Sequence, residues 1–187
     1  KGKTSHKEVN KIIDEAYSLG VKIIETAALY GDSEKVIGEC INGIIDWQIV
    51  TKTPHFPDEN INYSHIKILN HSFQKSLDNL KRKTIYGLLL HSCDDLFKAG
   101  GELLFKEMEK IKSNGLVKKI GVSVYDSKQI DLVLKKYRID LIQLPVNILD
   151  QELIERKYLD LLKEKDIEIH ARSIFLQGLL LMQKELI

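Results

Sequence analysis

Four side chains that can transfer protons stand at the ends of short apolar segments in this 187-residue sequence. Glu25 lies at the end of VKIIET, with Tyr30 five positions later, Lys52 ends QIVTK, and His91 lies near the end of IYGLLLHS. Segments that are rich in β-branched residues and poor in charge are typical of buried parallel strands. Because the carboxyl ends of such strands meet at one face, we expect these four groups to face one cavity.

Together these groups can stabilise the negative charge that forms on a carbonyl oxygen. A tyrosine with an ordinary pKa of about 10 is a poor proton donor near neutral pH, but a lysine ammonium within hydrogen-bond reach lowers that pKa. Lys52 would make Tyr30 a usable general acid, and Glu25 would keep the lysine charged and oriented. His91 would orient the carbonyl. The set suits hydride addition to a C=O group, although proton transfer beside a carbonyl could use the same groups.

The elements that must position these groups form a regular alternation of strands and amphipathic helices. Ser5 and Glu8 predict a capping box at the first helix, Ser33 is expected to cap the second, and Asp126 with Gln129 predicts another box. A last helix is expected on an apolar stripe of four residues, Ile154, Tyr158, Leu161 and Leu162. The six predicted strands, which should be buried on both faces, cover residues 21–26, 48–52, 85–92, 118–125, 140–146 and 167–174.

Unbroken βα alternation fits either a (β/α)8 barrel or a doubly wound sheet. The sequence has no GxGxxG after its first strand, and it also lacks Walker A, GxSxG and HExxH motifs. We therefore predict an α/β fold of the (β/α)8 TIM-barrel class, with residues 1–187 forming one partial domain. A complete barrel has about 250 residues, so the first and eighth strands are expected to be missing. These two strands are neighbours around a barrel, so their absence would leave one gap. The strands on either side of that gap would have unpaired edges, and such edges predict self-association.

Six ordered blocks of the sequence resemble the motifs of the aldo-keto reductases. The resemblance covers nearly the whole chain, and it includes the signature-like block ETAALYGDSEKVIGE at residues 25–39. The segments LPVNILDQ and HARSIFLQGLLLM resemble bacterial members that accompany the synthesis of surface-polysaccharide sugars. The other blocks are VTK (50–52), LLLHS (88–92), GLVKKIGVS (115–123), LIQLPVN (141–147) and ARSIFLQG (171–178).

This resemblance implies a barrel enzyme that reduces an aldehyde or ketone by hydride transfer from NADPH, or less often from NADH. By motif, Tyr30 is the general acid, Lys52 is its partner and His91 orients the carbonyl. Glu25 stands where the family has aspartate, and its extra methylene moves the carboxylate by about one bond length. The implied substrate is a small carbonyl compound, and the bacterial likeness suggests a sugar derivative.

The same resemblance implies four cofactor-binding residues. Ser123 and Gln143 align with positions that bind the nicotinamide carboxamide, and Ser173 begins the segment that approaches the cofactor phosphates. Arg172 stands where many relatives have an aromatic ring stacked on the nicotinamide, and a guanidinium can also lie flat against that ring. Val124 replaces an asparagine found in many relatives.

Composition excludes several other classes of protein. The sequence has 28 Lys+Arg and 27 Asp+Glu, and this net charge of +1 gives no field for nucleic acid or an anionic membrane. Cys40 and Cys93 are the only cysteines and form no CxxC, so we expect neither a disulfide framework nor a metal site. No apolar run has the length of about 20 residues that a membrane span needs, and the start lacks a signal-peptide core. We therefore expect a cytoplasmic protein.

Two other functions remain open at the level of the sequence. Glu25 and Arg172 depart from the family pattern, as they would in a catalytically impaired binding or regulatory protein on the same fold. Lys52 could alternatively be a Schiff-base nucleophile in a lyase, since such lysines also occur on barrel strands. A nearby Glu25 argues against the lyase because it would keep the amine protonated.

Overall fold

The computed structural model describes residues 4–41 and 46–182. Within this part of the chain, six strands form one parallel sheet, and their order in the sheet is their order in the sequence. A doubly wound sheet reverses its strand order at a switch point, and this sheet does not. The strands are β1 (Ile23–Glu25), β2 (Gln48–Lys52), β3 (Ile85–Leu90), β4 (Val117–Ser123), β5 (Leu141–Pro145) and β6 (Glu168–Arg172).

Helices connect successive strands, as the alternating pattern predicts. Two 3₁₀ segments, Cys93–Phe97 and Leu176–Leu181, follow β3 and β6. None of the helices in the described ranges has the length and apolarity of a membrane span. The helices are α1 (His6–Ser18), α2 (Ser33–Cys40), α3 (Tyr63–Leu80), α4 (Glu102–Ser113), α5 (Ser127–Lys136), α6 (Glu152–Glu155) and α7 (Tyr158–Glu164).

Side-chain caps fix the beginnings of three helices. Ser5 accepts a hydrogen bond from the Glu8 amide at 3.3 Å, and Asp126 accepts one from the Gln129 amide at 2.9 Å, so the N-cap half of both predicted capping boxes is confirmed. The Gln129 side chain accepts from the Tyr125 amide and not from that of Asp126, so this box is not reciprocal. The sequence analysis missed the cap of α3, where Asn62 accepts from the Ser64 amide at 2.9 Å. Each bond satisfies a backbone N–H that the first helical turn leaves without a partner.

Ser33 is not the cap of α2, contrary to the sequence prediction. It is the first helical residue, and Asp32 occupies the N-cap position. The Ser33 hydroxyl instead accepts a hydrogen bond from the Thr26 hydroxyl at 3.1 Å. This contact ties the start of α2 to the end of β1.

The single helix predicted on residues 154–162 is in fact two short helices. The backbone of Lys157 has φ 60°, in the left-handed region, and this interrupts the helix between α6 and α7. The turn changes which side chains point inward, so Leu153 is buried and Ile154 is exposed. Tyr158 and Leu162 are buried as the apolar stripe predicts.

Most of the apolar core lies between the sheet and its helices. Strand residues such as Ile49, Leu88 and Ile142 are buried in one large cluster with helix residues such as Leu69 and Leu104. A second, small cluster consists of Val50, Leu89 and Leu141, with Tyr86 packed against it. The second cluster takes alternate residues of the same strands and therefore lies on the opposite, inner face of the sheet.

The sheet curls into a half-barrel, which confirms the predicted fold class. Although β1 and β6 are the two edges, the side chains of Glu25 and His170 meet across the inner face, with Oε1 and Nδ1 2.5 Å apart. The central strands are buried as predicted, but Ile23 and Ala171 are exposed. The prediction of burial on both faces fails at β1 and β6 because no further strand pairs with either edge in the described part of the chain.

Candidate active site

The structure brings Tyr30, Lys52 and His91 together at the carboxyl ends of the first three strands. The Lys52 ammonium nitrogen lies 5.2 Å from the centre of the Tyr30 ring. The rings of Tyr30 and His91 meet edge to face, with centroids 6.0 Å apart. Tyr30 is held in the turn after β1, where its amide donates to the Ala27 carbonyl at 3.0 Å. The three groups that were predicted to converge therefore lie close together at this end of the sheet.

Lys52 is buried although it carries an amine. Its side chain makes a hydrogen bond of 3.3 Å from Nζ to the Thr26 carbonyl oxygen, and only 4% of the residue is exposed. Burial lowers the pKa of Lys52, the charge of Glu25 raises it and the charge of Arg172 lowers it, with a net lowering. A buried lysine without an opposite charge in direct contact is costly, which is typical of functional sites.

A second histidine covers His91. The ring of His55 stacks on the His91 ring at a centroid distance of 4.3 Å and an interplanar angle of 29°. The His91 amide donates to the Thr53 hydroxyl at 3.2 Å, which fixes the backbone. Burial is the largest cause of a lowered pKa for His91, and the charges of His55 and Lys52 lower it further. This lowering favours the neutral form of the His91 imidazole.

The buried Nδ1 of His91 has no hydrogen-bond partner among the described residues. Buried polar atoms are rarely left unpaired in folded proteins, because an unpaired buried group costs about 1–3 kcal/mol.

Glu25 faces the same interior but does not form an ion pair with Lys52. One carboxylate oxygen contacts Nδ1 of His170 at 2.5 Å, and the other accepts a hydrogen bond from the Gln143 amide. Glu25 was expected to keep the lysine charged and oriented. Its charge does raise the pKa of Lys52, but the amine is held by its hydrogen bond to the Thr26 carbonyl and not by a contact with Glu25. Burial raises the pKa of Glu25, but the hydrogen bond with His170, the charges of Lys52 and His170 and the hydrogen bond from Gln143 lower it, with a net lowering.

Two of the predicted cofactor residues form a pair between the last residue of β4 and the middle residue of β5. The Ser123 hydroxyl donates to the side-chain oxygen of Gln143 at 3.1 Å, and both residues are buried. A hydroxyl and a primary amide offer both donors and acceptors, which is what a carboxamide group requires of its partners. The donor set therefore fits a nicotinamide.

The other two predicted cofactor residues lie at the end of β6. The Arg172 guanidinium donates to the Val124 carbonyl oxygen at 3.1 Å and lies over the Tyr125 ring, 4.4 Å from its centre. Ser173 is exposed, has φ 62° and lies three residues before the 3₁₀ segment Leu176–Leu181. Arg172 and Ser173 thus stand at the same end of the sheet as Tyr30, Lys52 and His91.

Three residues of the site were given no role in the sequence analysis. These residues are His55, Glu168 and His170. A signal for the last two existed, because Glu168, His170 and Arg172 are spaced by two along one strand and must share one face. The stacking of His55 on His91 depends on the path of an irregular loop, which no periodicity reports.

Comparison with known proteins shows which family this chain resembles. The sequence profile described as "Aldo/keto reductase family" matches residues 1–186. The chain is 27% identical over 187 residues to an uncharacterized oxidoreductase, YqkF, from Bacillus subtilis, covering 95% of this chain and 59% of that protein. It is 25% identical over 193 residues to an NAD(P)H-dependent 6'-deoxychalcone synthase from Glycine max, covering 94% and 60%. The chain thus spans about three fifths of the length of these relatives.

Solved structures share the fold. The holo form of the aldo-keto reductase AKR11C1 from Bacillus halodurans superposes with a TM-score of 0.78 at 24% identity. The match covers 95% of this chain and 61% of that one. At this identity, the similarity establishes the fold.

Proposed function

The chain belongs to the aldo/keto reductase family, and from that premise we propose that the whole protein reduces an aldehyde or ketone with a nicotinamide cofactor, using Tyr30 as the general acid. The observation that carries this proposal is the grouping of Tyr30, Lys52 and His91 at one face, with the lysine 5.2 Å from the phenol ring and the imidazole 6.0 Å from it. These residues come from three different strand ends, which is how active sites are assembled on barrels.

Proton donation falls to the Tyr30 hydroxyl. As the carbonyl oxygen gains negative charge, the phenol gives up its proton, and the Lys52 ammonium stabilises the phenolate that remains. The 52% exposure of Tyr30 leaves the ring accessible to a substrate. Lys52, by contrast, is buried, so its charge acts through a medium with little screening by water.

His91 orients the carbonyl in this scheme. A neutral imidazole can donate one hydrogen bond to the carbonyl oxygen without competing with Tyr30 as a proton source. The lowered pKa of His91, caused first by burial and then by the positive charges nearby, keeps the ring neutral. His55, stacked on it, restricts its rotation.

The Ser123–Gln143 pair would hold the cofactor carboxamide, and Arg172 and Ser173 would flank the cofactor at the end of β6. The nicotinamide, when bound, supplies the hydride that the carbonyl carbon accepts. We propose NADPH as the preferred cofactor, with NADH as the alternative. The relative from Glycine max is named for dependence on NAD(P)H, which supports a nicotinamide in general.

The proposed substrate is a small carbonyl compound, with a sugar derivative as the specific candidate. The support for a sugar is the resemblance of residues 144–151 and 170–182 to bacterial members associated with polysaccharide sugars. The mouth of the site is rimmed by hydroxyl, imidazole and guanidinium groups, which can bond to several hydroxyls of one ligand.

The replacement Tyr30→Phe in the full-length protein tests this function. Phenylalanine keeps the ring beside His91 and Lys52 and removes only the hydroxyl, so we expect NADPH to bind with nearly unchanged affinity. General acid catalysis contributes about 10²- to 10⁴-fold, and we expect the reduction rate of a test aldehyde to fall by a factor in that range. Binding is measured by fluorescence titration and turnover by the loss of NADPH absorbance.

The matched control is Tyr63→Phe, because Tyr63 is 75% exposed at the start of α3 and lies outside the site. It should leave both measurements unchanged. Failure of the wild-type protein to bind either NADPH or NADH would overturn the reductase. Cofactor binding without any turnover would instead support the catalytically impaired alternative, and trapping of a carbonyl on Lys52 by borohydride would support the lyase.

A further inference from the structure

A chain of charged and polar side chains crosses the inner face of the half-barrel. At its centre is His170 of β6, whose side chain is only 9% exposed. Its Nδ1 lies 2.5 Å from Oε1 of Glu25, and its Nε2 lies 2.6 Å from Oε1 of Glu168. These side-chain contacts link β1 to β6, the two edge strands of the sheet.

The geometry defines the charge of His170. Each ring nitrogen faces a carboxylate oxygen, so each must donate a proton, and only the imidazolium carries two N–H groups. Burial by itself lowers the pKa of His170, but the hydrogen bonds to Glu25 and Glu168 raise it, and the net shift is upward. The two contacts and the raised pKa both favour the imidazolium form of His170 between the two carboxylates.

Glu168 anchors this arrangement. Its second oxygen accepts a hydrogen bond from the Tyr86 hydroxyl at 2.5 Å and forms an ion pair with Lys119. Burial opposes ionisation, but the hydrogen bonds from Lys119, Tyr86 and His170 lower the pKa of Glu168 to about 2. Charge-assisted hydrogen bonds of this kind are stronger than neutral ones and fix the position of the carboxylate.

At the other end of this series of side chains, both carboxylate oxygens of Glu25 are bonded to residues of β5 and β6. Its Oε1 contacts His170, its Oε2 accepts from the Gln143 amide, and Gln143 in turn accepts from Ser123. No ion pair within 4.0 Å joins Glu25 to Lys52 in the described part of the chain, and Lys52 donates to the Thr26 carbonyl. The site thus contains a carboxylate and a lysine that interact but are held apart.

We propose that His170 is a positioning residue that holds the Glu25 carboxylate away from Lys52 and beside Gln143. This inference rests on the proposed reductase function, in which Lys52 must act on Tyr30 and Gln143 must bind the cofactor. A glutamate is one methylene longer than an aspartate and can reach further from its strand, so a separate partner is needed to fix its carboxylate. His170, anchored by Glu168, is that partner.

The consequence of removing His170 follows from the charges. Glu25 would lose one of its two partners and become free to pair with Lys52. An opposite charge brought to within about 4–6 Å shifts a pKa by about 1–3 units toward the charged form, so the pKa of Lys52 should rise. The other charged groups that face this cluster are Lys119 of β4 and Arg172 of β6, and neither can replace the hydrogen bond to Glu25.

The test compares His170→Leu with His170→Asn in the full-length protein. Leucine removes both donors, whereas the asparagine amide places an N–H near the position of Nδ1 and can still bind Glu25. We expect the basic limb of the pH profile of kcat/KM for aldehyde reduction to move upward by about one unit in His170→Leu. The His170→Asn variant should keep the wild-type profile, and His71→Leu on the exposed side of α3 is the control.

A readout that does not depend on turnover accompanies the profile. The titration of Lys52 Nζ, followed by ¹⁵N NMR of lysine-labelled protein without cofactor, should shift upward in His170→Leu and stay in place in His170→Asn. If His170→Leu does not fold, Glu168→Gln removes the anchor instead and should shift the titration in the same direction by a smaller amount.

An unchanged Lys52 titration in both His170→Leu and Glu168→Gln would overturn the positioning role, even in an active reductase. Conversely, a shifted titration in a protein that reduces no carbonyl would uphold the placement of Glu25 and reject the proposed function. The two proposals therefore fail by different observations.

Discussion

At the scale of single residues, the site separates two charges that lie close together. Lys52 is buried and donates a hydrogen bond to a backbone carbonyl, and burial lowers its pKa. The Glu25 carboxylate is hydrogen-bonded to Gln143 and His170. In the proposed function the Lys52 ammonium stabilises the Tyr30 phenolate. The charge of Glu25 favours that ammonium, because it raises the pKa of Lys52 against the effect of burial.

Glu168 and His170, which are hydrogen-bonded to each other, should make the free energy of unfolding depend on pH. The folded pKa of Glu168, about 2 against an ordinary 4.5, means that its contribution is complete above pH 4.5 and is lost as pH falls toward 2. The pKa of His170 is raised above 6.5, so its contribution is complete below pH 6.5 and is lost as pH rises through the folded value. We expect both contributions to be present together between pH 4.5 and 6.5.

Urea unfolding of the full-length protein at a series of pH values checks this expectation. Glu168→Gln should flatten the acid side of the stability curve, and His170→Asn should flatten the alkaline side. The exposed residue His6 is a suitable control, since His6→Gln should leave both sides unchanged. A wild-type alkaline slope that persists in His170→Asn would contradict the assignment.

At the scale of elements, the first two helices of the site region are joined by close backbone packing. A Cβ atom added at Gly38 of α2 would lie 2.2 Å from the Asn79 carbonyl oxygen and 2.8 Å from the backbone of Leu80. The buried carboxylate of Glu34 accepts from the Thr51 hydroxyl at 2.7 Å and from Asn79 at 3.4 Å. The end of β2, which carries Lys52, is thus fixed by α2 and α3 together.

We expect Gly38→Ala to destabilise the protein by about 1–3 kcal/mol, because the methyl group would meet backbone atoms that cannot rotate away. The free energy of unfolding in urea measures the effect. Lys35→Ala on the exposed side of α2 is the control and should change stability little, since alanine also favours the helix. A Gly38→Ala variant as stable as Lys35→Ala would show that α2 and α3 can separate without cost.

At the scale of the whole molecule, the curled sheet leaves two edges. Ile23 of β1 is 36% exposed, and apolar residues after β6 such as Phe175 and Leu181 are exposed to 56% and 72%. Unpaired edges next to exposed apolar side chains favour pairing with a further strand. The described half-barrel is therefore expected to find a strand partner, either in the same protein or in a second copy.

The 187-residue span expressed alone should self-associate through these edges. We expect size-exclusion chromatography with light scattering to show species larger than the monomer, and Ile23→Lys to reduce them, because an inward charge on an edge opposes strand pairing. Leu132→Lys, which changes an exposed leucine on α5, is the control and should leave the distribution unchanged. A span that remains monomeric at all concentrations would contradict this expectation.

The sequence by itself determined the order of strands and helices and the meeting of Tyr30, Lys52 and His91. Both follow from local rules, since residue periodicity defines the strands and the carboxyl ends of parallel strands share one face. The break at Lys157 was not predicted, because an apolar stripe does not report a single left-handed residue.

Only the tertiary structure decided the partners of Glu25. His170 lies 145 positions from Glu25 in the sequence, and Gln143 lies 118 positions from it. They reach Glu25 because the sheet curls until side chains of β5 and β6 meet those of β1 across its inner face. The stacking of His55 on His91 likewise depends on a loop path. Contacts of this kind depend on the curvature of the whole sheet, which is the sum of small twists between all neighbouring strands.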